Sequence, residues 1–548
     1  MGEMEWDMER LRSVLDDVLA IEGRKNVKRT SPDDLKRICA EIGTRTEFGN
    51  YNFSSSVRNR SASRTVYVGT DSVMQFPLDY DRKEILDGLD RTLGEVFEYL
   101  RSAPLLQLDL SMGENGRFSP RCHLYLSRYR KDHSRLALMA SRAFFPDRGT
   151  GGPDLYMIDL PEWHENKRQI LVFPEVGVTI ALGSDYYGEV KKGFLRMGMY
   201  CAKRQGMLGL HAGSKTVKAM RKGGACSIGM VLFGLTATGK TTHTCHDHGL
   251  TAEGEGVRVL QDDVVFLCKD GSALGTEMGF YIKTDGLDPQ HQPLLYEAAK
   301  TPDAILENVA VDHLGTVRFQ DLTLTGNGRG IVHRDTLGRF APETIDLPPL
   351  EDMDRLFMIF ITRRNTVLPI ISKLDAAQAA GAFMLGESVE SSGGDPRRAG
   401  ESVRVVGTNP FIIGSETEEG NWFHEFLMRN SNKVECYLLN TGGVGEVMEK
   451  GEDGRKHLVR KVTRVDIDEV AAVIRGISRD TIAWKREDRF GTLVPEGVEG
   501  IDLSRLDPHR FYSEEEIRGM VMALRNERFV HLSRFPGLAP EVIDAYRI

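Results

Sequence analysis

The stretch Gly234-Leu-Thr-Ala-Thr-Gly-Lys-Thr241 constrains this chain more than any other. It meets the phosphate-loop pattern G-x-x-x-x-G-K-[ST] at every position. Ile228–Phe233 before it is an apolar run of strand length, and Thr242, His243 and Thr244 after it can open a helix. Glycines let the backbone turn and aim several N–H groups at one phosphate chain, and a helix N-terminus adds partial positive charge. Lys240 can reach the outer phosphates, and the Thr241 hydroxyl can ligate Mg²⁺. The bland alternative is a glycine-rich turn between strand and helix; the flanking context favours a nucleotide site formed by Gly234, Leu235, Thr236, Ala237, Thr238, Gly239, Lys240, Thr241 and Thr242.

The 548 residues suggest several domains or a few large α/β lobes, and the apolar and charged fractions are those of a water-soluble globular chain. The net charge of −9 and the absence of a basic block argue against a nucleic-acid surface. Seven cysteines, an odd number without C-x-x-C spacing, read as reduced thiols of a cytoplasmic protein. The acidic N-terminus is not a signal peptide, and no apolar run approaches a membrane span.

Taken in order, 4–21 predicts a helix with Leu11, Val14, Leu15, Val18 and Leu19 on one face, and Ser31-Pro32 caps a second. Tyr51–Arg64 carries three arginines and five serines before a strand at Thr65. It is either a solvated loop or an anion site, since arginine forks match carboxylates and phosphates. A helix is expected over 82–102, strands over 170–182 and a helix over 194–207. The pair Lys191-Lys192 follows a buried-looking strand, and His211 ends a short apolar run. Val257–Asp263 is an apolar run closed by Asp262 and Asp263, which reads either as a polar turn or as hard oxygen ligands for a Mg²⁺-nucleotide. Its closeness to the glycine loop points away from a Rossmann-like ATPase and towards a mixed, partly antiparallel sheet. Residues 386–402, rich in Gly, Ser and charge, read as a lid-like loop.

Several of these segments, in order across residues 55–512, resemble the ATP-dependent phosphoenolpyruvate carboxykinases. Gly234–Thr242 is similar to the family's G-L-S-G-T-G-K-T-T. Gly188-Glu-Val-Lys-Lys-Gly-Phe194 is similar to G-E-M-K-K-G-M, and Leu260–Asp263 stands where the family has its G-D-D motif. Ala304–Val309 resembles A-L-L-E-N-V, Leu438–Gly443 resembles L-V-N-T-G, and Leu493–Val498 with Leu506-Asp-Pro resembles the tail. The resemblance implies an α/β fold of mixed α+β character with two lobes and the active site in their cleft. It gives a substrate-binding lobe at 1–220 and a nucleotide-binding lobe with a mixed sheet at 221–548, with the lid near 386–402. It also implies roles. Lys192, His211 and Asp263 would bind Mn²⁺, and Thr241, with Asp262, the Mg²⁺ of ATP or ADP. Arg60, Ser61, Tyr186 and Arg329 would meet the substrate. Lys192, Lys240, Lys283 and Arg329 would be catalytic, and Glu307 would join the nucleotide set. Arg455, Lys456 and Arg460 are alternatives for the adenine.

The chain departs from the family pattern at three places. H-C-S-A-N becomes His211-Ala-Gly-Ser-Lys215, the usual leucine after the phosphate loop becomes His243, and G-R-S-P-K-D becomes Asn59-Arg-Ser-Ala-Ser-Arg64. The implied activity is the reversible conversion of oxaloacetate and ATP to phosphoenolpyruvate, CO₂ and ADP. The implied partners are those small molecules alone, with a monomer expected. A kinase with another acceptor, or a nucleotide-binding regulator without catalysis, are the alternatives.

Overall fold

The strand leading into the glycine loop runs Gly224–Gly234, longer than its apolar core suggested. The structure, a computed structural model, describes residues 6–73, 78–149, 152–163, 168–235, 238–323, 326–389, 402–450 and 456–547. Two compact units are present. One comprises Met1–Gln205, Leu274–Ala341 and Ile412–Gly414; the other comprises Gly206–Ala273, Pro342–Phe411 and Ser415–Ile548. Packing therefore interleaves the chain where the sequence reading drew one cut at 220/221. The reason is that Gly279–Lys283, Arg329–His333 and Ile305–Glu307 form a sheet with the early strands Tyr51–Phe53 and Thr44–Arg45.

The first unit also holds a mixed sheet ordered Val27–Arg29, Leu105–Ser111, Arg121–Ser127, Asp154–Leu160, Val178–Leu182, Gln169–Phe173 and Thr65–Tyr67. Alternation along its strands divides two apolar layers. Ile158, Leu160, Val178, Ile180 and Leu182 pack with the helices Met8–Leu19 and Leu89–Leu100. On the opposite face, Met157 and Thr179 approach Gly193 of the helix Tyr187–Arg204.

That helix starts seven residues before the expected 194. Two glycines and two lysines hid it, and tertiary partners override their low promise: Lys191 is fully buried and its Nζ lies 3.0 Å from the buried Glu277 carboxylate. The expected helix over 82–102 is two, Tyr80–Asp87 and Leu89–Leu100, broken at Gly88. The N-terminal helix buries Leu11, Val14 and Val18 as read, whereas Leu19 is exposed; Ser31 caps its helix by accepting from the Asp34 N–H.

The second unit is built on a sheet ordered Gly256–Gln261, Ala212–Arg221, Gly224–Gly234, Arg355–Thr362, Val434–Asn440, Ile371–Leu374, Leu493–Pro495 and Trp484–Arg486. Its three central strands are parallel and its flanks antiparallel, the mixed sheet that the short spacing from loop to acidic pair implied. Phe233 stacks on Phe360 at 4.8 Å, and Phe383 and Phe423 complete a buried aromatic cluster under the strand that ends in the glycine loop. No helix among the described residues is long and apolar enough to cross a membrane.

Of the expected lid at 386–402, residues 390–401 lie outside the described residues. Its two ends pair as Glu387–Val389 with Ser402–Arg404. Glu387 is buried there against three arginines. Arg528 of the helix Glu514–Leu532 donates to both of its oxygens at 2.7 and 2.9 Å, Arg404 at 2.8 Å and Arg364 at 3.2 Å. Burial opposes its charge, but Arg364, Arg528 and Arg404 hold the carboxyl well below its usual range. A depressed carboxylate contributes stability above its unfolded pKa of 4.5 and loses it as pH falls through the folded value. Replacing Glu387 by Ala leaves buried cations without their partner, and urea unfolding at neutral pH is expected to show a loss of about 3–5 kcal/mol. The gap to the parent protein should narrow as the medium is acidified below pH 4.5.

Candidate functional site

Sheet register builds the surroundings of the glycine loop. Gly234 ends its strand, Leu235 follows, and Gly239 turns with φ 97° into the short helix Lys240–Thr244. A side chain would strain that left-handed backbone, so the second glycine of the pattern is a conformational requirement. Thr236 and Ala237 lie outside the described residues. The loop is braced from within by Thr238, whose hydroxyl donates to Leu235 O at 2.7 Å, and from outside by Thr441, whose hydroxyl donates to Thr238 O at 2.8 Å.

Two pairings, Leu210 opposite Val265 and Ser214 opposite Gln261, bracket His211 and Asp263. Asp263 Oδ1 lies 3.0 Å from His211 Nε2 and 3.0 Å from Lys240 Nζ. The other imidazole nitrogen, Nδ1, is 2.7 Å from Thr408 O, an acceptor, so Nδ1 carries a proton. A bare Nε2 lone pair and a carboxylate oxygen at that separation repel unless a proton or cation stands with them. The pair therefore fits a divalent cation as one nitrogen and one oxygen donor, with the imidazole oriented from behind. Thr408 holds φ 51°, rare for a β-branched residue, and this conformation presents its carbonyl to His211. Asp262 is buried beside Asp263. Among the described residues no group of three or more His, Cys, Asp and Glu side chains is gathered as a metal cage; the expected ligand set differs in including a lysine.

The first unit, taken by itself, holds several of the cations that the resemblance implied. Asp185 accepts from the Ser56 and Val57 N–H groups at 2.8 Å each and from Arg135 Nη2 at 2.9 Å, which fixes the loop that leads to Arg60. The Ser61 N–H donates to Glu189 Oε1 on the helix of Lys192. Burial, and then Arg196, lowers the Arg60 pKa, against Glu189, Tyr67 and Tyr186. Lys283, Arg329 and Glu307 stand opposite one another across three adjacent strands. The Arg329 guanidinium lies 5.6 Å over the Tyr281 ring; burial works against its charge, and Tyr186, Tyr281 and Asp285 hold its pKa up. Lys283 is half-exposed and paired with Asp285 at 3.3 Å.

A family model described as phosphoenolpyruvate carboxykinase matches residues 30–504. The chain belongs to the phosphoenolpyruvate carboxykinase family. The phosphoenolpyruvate carboxykinase (ATP) of Aeropyrum pernix is 34% identical over 459 residues, covering 83% of this chain and 86% of that relative. Those of Rhizobium rhizogenes and Nitrobacter hamburgensis are 26% and 28% identical over 373 and 375 residues, and in each case the match spans 66% of this chain and 64% of the relative. The phosphoenolpyruvate carboxykinase family uses divalent metal ions.

Of the residues the resemblance implied, His211, Lys240 and Asp263 meet on one carboxylate oxygen, and Thr241 lies in the helix opened by Lys240. Lys192 sits half-buried on the helix Tyr187–Arg204. Glu307, expected at the nucleotide, is fully buried, with its Oε1 3.6 Å from Arg135 and its Oε2 accepting from Tyr281 at 3.4 Å. Of the adenine alternatives, Arg455 lies outside the described residues. Arg460 donates to Gly445 O at 2.6 Å and to Phe511 O at 2.8 Å, so its guanidinium is committed to the fold. Sequence reasoning missed Thr408, Thr441, Asp185, Arg135 and Arg196. Only Thr441 carried a signal, as the threonine of the N-T-G segment.

Burial raises the Glu307 carboxyl to about 7, opposed by Arg135 and Arg329 and reinforced by Asp185. Its folded pKa thus lies above its unfolded 4.5, and folding favours the protonated form. Stability drawn from this group declines as pH rises between those two values. Carbon-13 NMR of glutamate-labelled protein should show one carboxyl titrating near pH 7, absent after Glu307→Gln; a chemical shift at that position typical of a carboxylate throughout pH 5–9 would contradict the assignment.

Proposed function

We propose that the protein is an ATP-dependent phosphoenolpyruvate carboxykinase that interconverts oxaloacetate plus ATP with phosphoenolpyruvate, CO₂ and ADP. Family membership supports the reading, and with it a lyase that uses ATP and divalent metal in gluconeogenic chemistry. The observation within this chain that carries it is the Asp263 oxygen shared by His211 and Lys240, which joins a metal-ligand pair to the phosphate-loop lysine.

Lys192, His211 and Asp263 would hold one divalent cation, assigned as Mn²⁺, and Thr241 with Asp262 the Mg²⁺ of the nucleotide. When bound, these ions supply Lewis-acid stabilisation of enolate charge and neutralise phosphate charge. Lys192 serves as a ligand only as a neutral amine, so its proton must leave before it binds.

The side chains of this chain do the rest. Arg60 presents its fork to a substrate carboxylate, and Arg329, held by Tyr281, supplies a second cation. The carbon–carbon bond to the departing CO₂ breaks and its electron pair passes into the enolate. The enolate oxygen attacks the γ-phosphorus while the bond to the ADP oxygen breaks. Lys240, Lys283 and Arg329 offset the charge spread over the transferring phosphoryl group. Water must be kept from the enolate, which would otherwise be protonated to pyruvate; the 386–402 segment is the proposed lid. The reading requires only small-molecule partners, and we place the enzyme in the cytoplasm as a monomer.

A coupled assay tests this. Phosphoenolpyruvate, ADP, bicarbonate and Mn²⁺ are supplied, and oxaloacetate is followed through malate dehydrogenase. Turnover should depend on bicarbonate, and Lys192→Ala should lower kcat/KM by about 10²–10³, the loss typical of removing one group that stabilises transition-state charge. Phosphoryl transfer independent of bicarbonate would instead favour a kinase with another acceptor, the reading to which the altered Asn59–Arg64 segment gives weight.

A further inference from the structure

Two of the departures from the family pattern, at His211–Lys215 and at His243, are neighbours in space. The Lys215 side chain is fully buried beneath the helix Lys240–Thr244. Its Nζ donates to His243 O at 2.6 Å and to His246 O at 3.2 Å, and lies 3.0 Å from His248 Nδ1. Three acceptors for three N–H bonds describe a satisfied ammonium. His248 takes part as an acceptor, so its proton sits on Nε2; its backbone is left-handed at φ 55°, and its carbonyl accepts from Arg475 Nη1 at 3.1 Å.

The strand beneath has the matching shape. Gly213, two residues before Lys215 and on the same face, leaves no room for a side chain: a Cβ there would lie 2.2 Å from Thr244 Oγ1. The register with Gly256–Gln261 shifts between Ser214 and Lys215, with Leu260 the extra residue on that neighbouring strand, while the pairing with Gly224–Gly234 runs unbroken past Lys215. Where the family pattern has serine and asparagine in H-C-S-A-N, this chain has a glycine that admits the helix and a lysine that binds its carbonyls.

We propose that Lys215 is a positioning residue for the nucleotide phosphates: its ammonium ties the C-terminal end of the helix Lys240–Thr244 to the strand beneath and so fixes Lys240 and Thr241 in place behind the glycine loop. The inference rests on the reading of Gly234–Thr241 as a phosphate site. The helix is too short to hold its own orientation, with five residues and one turn of hydrogen bonds. The Thr244 hydroxyl closes the helix on itself by donating to Lys240 O at 2.8 Å, and Lys215 ties it to the strand beneath through His243 O. Lys215 touches neither phosphate nor substrate in this account; it acts through Lys240 and Thr241.

The charge state is part of the device. Burial pulls the Lys215 pKa down to about 7, with Cys245 and Asp247 opposing. The other ionisable groups around it are His243, His246, His248 and Arg475, and burial with Lys215 lowers all three histidines. The tether is complete with the ammonium and weakens as the amine loses its proton.

The experiment measures Mg·ADP affinity by calorimetry, and KM for ADP and for phosphoenolpyruvate in the coupled assay, for the parent protein, Lys215→Met, His248→Gly and Lys240→Ala. Lys215→Met should weaken ADP binding and raise its KM about tenfold, the scale of one hydrogen bond to a charged group, with KM for phosphoenolpyruvate nearly unchanged. His248→Gly keeps the left-handed backbone and removes one acceptor, so a smaller loss in the same direction is expected. The ratio of parent to Lys215→Met affinity should shrink between about pH 6 and pH 9, as the amine discharges. ADP affinity and KM equal to the parent in Lys215→Met, with only a lower Tm, would reduce Lys215 to packing and overturn the proposal. If Lys215→Met does not fold, His248→Gly decides alone, and parental affinity there overturns it. Undiminished ADP binding by Lys240→Ala would show that the phosphate-site reading itself had failed.

Discussion

The hydrogen-bond register around Asp263 is the constraint on which the arrangement of His211, Lys240 and the glycine loop depends. Ala212 stands opposite Phe233, Leu210 opposite Val265 and Ser214 opposite Gln261. These three pairings bring together the start of one strand, the end of a second and the turn after a third. His211, the glycine loop and Asp263 follow from them without any long-range side-chain contact being needed to find one another. A slip of one residue in any pairing would turn the wrong face inwards. Burial of Phe233, Phe360, Phe383 and Phe423 makes such a slip costly, because it would carry an aromatic ring out of the core.

The first unit poses a different problem, that of holding arginines and a lysine among carboxylates. Several carboxylates are engaged elsewhere, while Asp285 pairs with Lys283. Asp185 is occupied by two backbone N–H groups and Arg135, Glu189 by the Ser61 N–H, and Glu277 by Lys191. Glu307, beside Arg329 in the sheet, is pushed by burial towards its neutral form near physiological pH. An acid that is half neutral withdraws little charge from its neighbour. Arg329 meanwhile lies over a tyrosine ring, which favours its charge without pairing it off.

Legibility in the sequence tracked how locally each role is encoded. The glycine loop, the strand before it and the acidic pair after it could be read because backbone conformation and residue type share the same few positions. The mixed sheet followed from one spacing, since the stretch between Thr241 and Asp262 is too short for another crossover. The helix Tyr187–Arg204 was half hidden, because glycine and lysine lower local helix promise, and nothing in the sequence shows that Met157 needs Gly193 or that Glu277 waits for Lys191. The interleaved units were hidden for the same reason: the pairing of Ile305–Glu307 with Tyr51–Phe53 joins segments more than 250 residues apart. Thr408 was beyond reach altogether. Its function is a carbonyl direction set by a strained backbone, and its side chain says nothing about it.

This distinction bears on how roles pass from a family to a divergent member. Side chains that stand at a motif, such as His211 and Asp263, can be matched to a family letter by letter. Roles carried by the support behind them can be refilled by different chemistry, provided that volume and hydrogen bonds balance. Gly213 and Lys215 together show such a refilling. The absent side chain at Gly213 leaves the space that Thr244 occupies, and Lys215 donates to the carbonyls of His243 and His246. Substitutions that look alarming one at a time, next to His211 and next to the glycine loop, are one physical unit when placed in contact. The histidines at 243, 246 and 248 belong to that unit. They supply two carbonyls and a ring nitrogen to a single ammonium, and no metal chemistry need be read into their clustering.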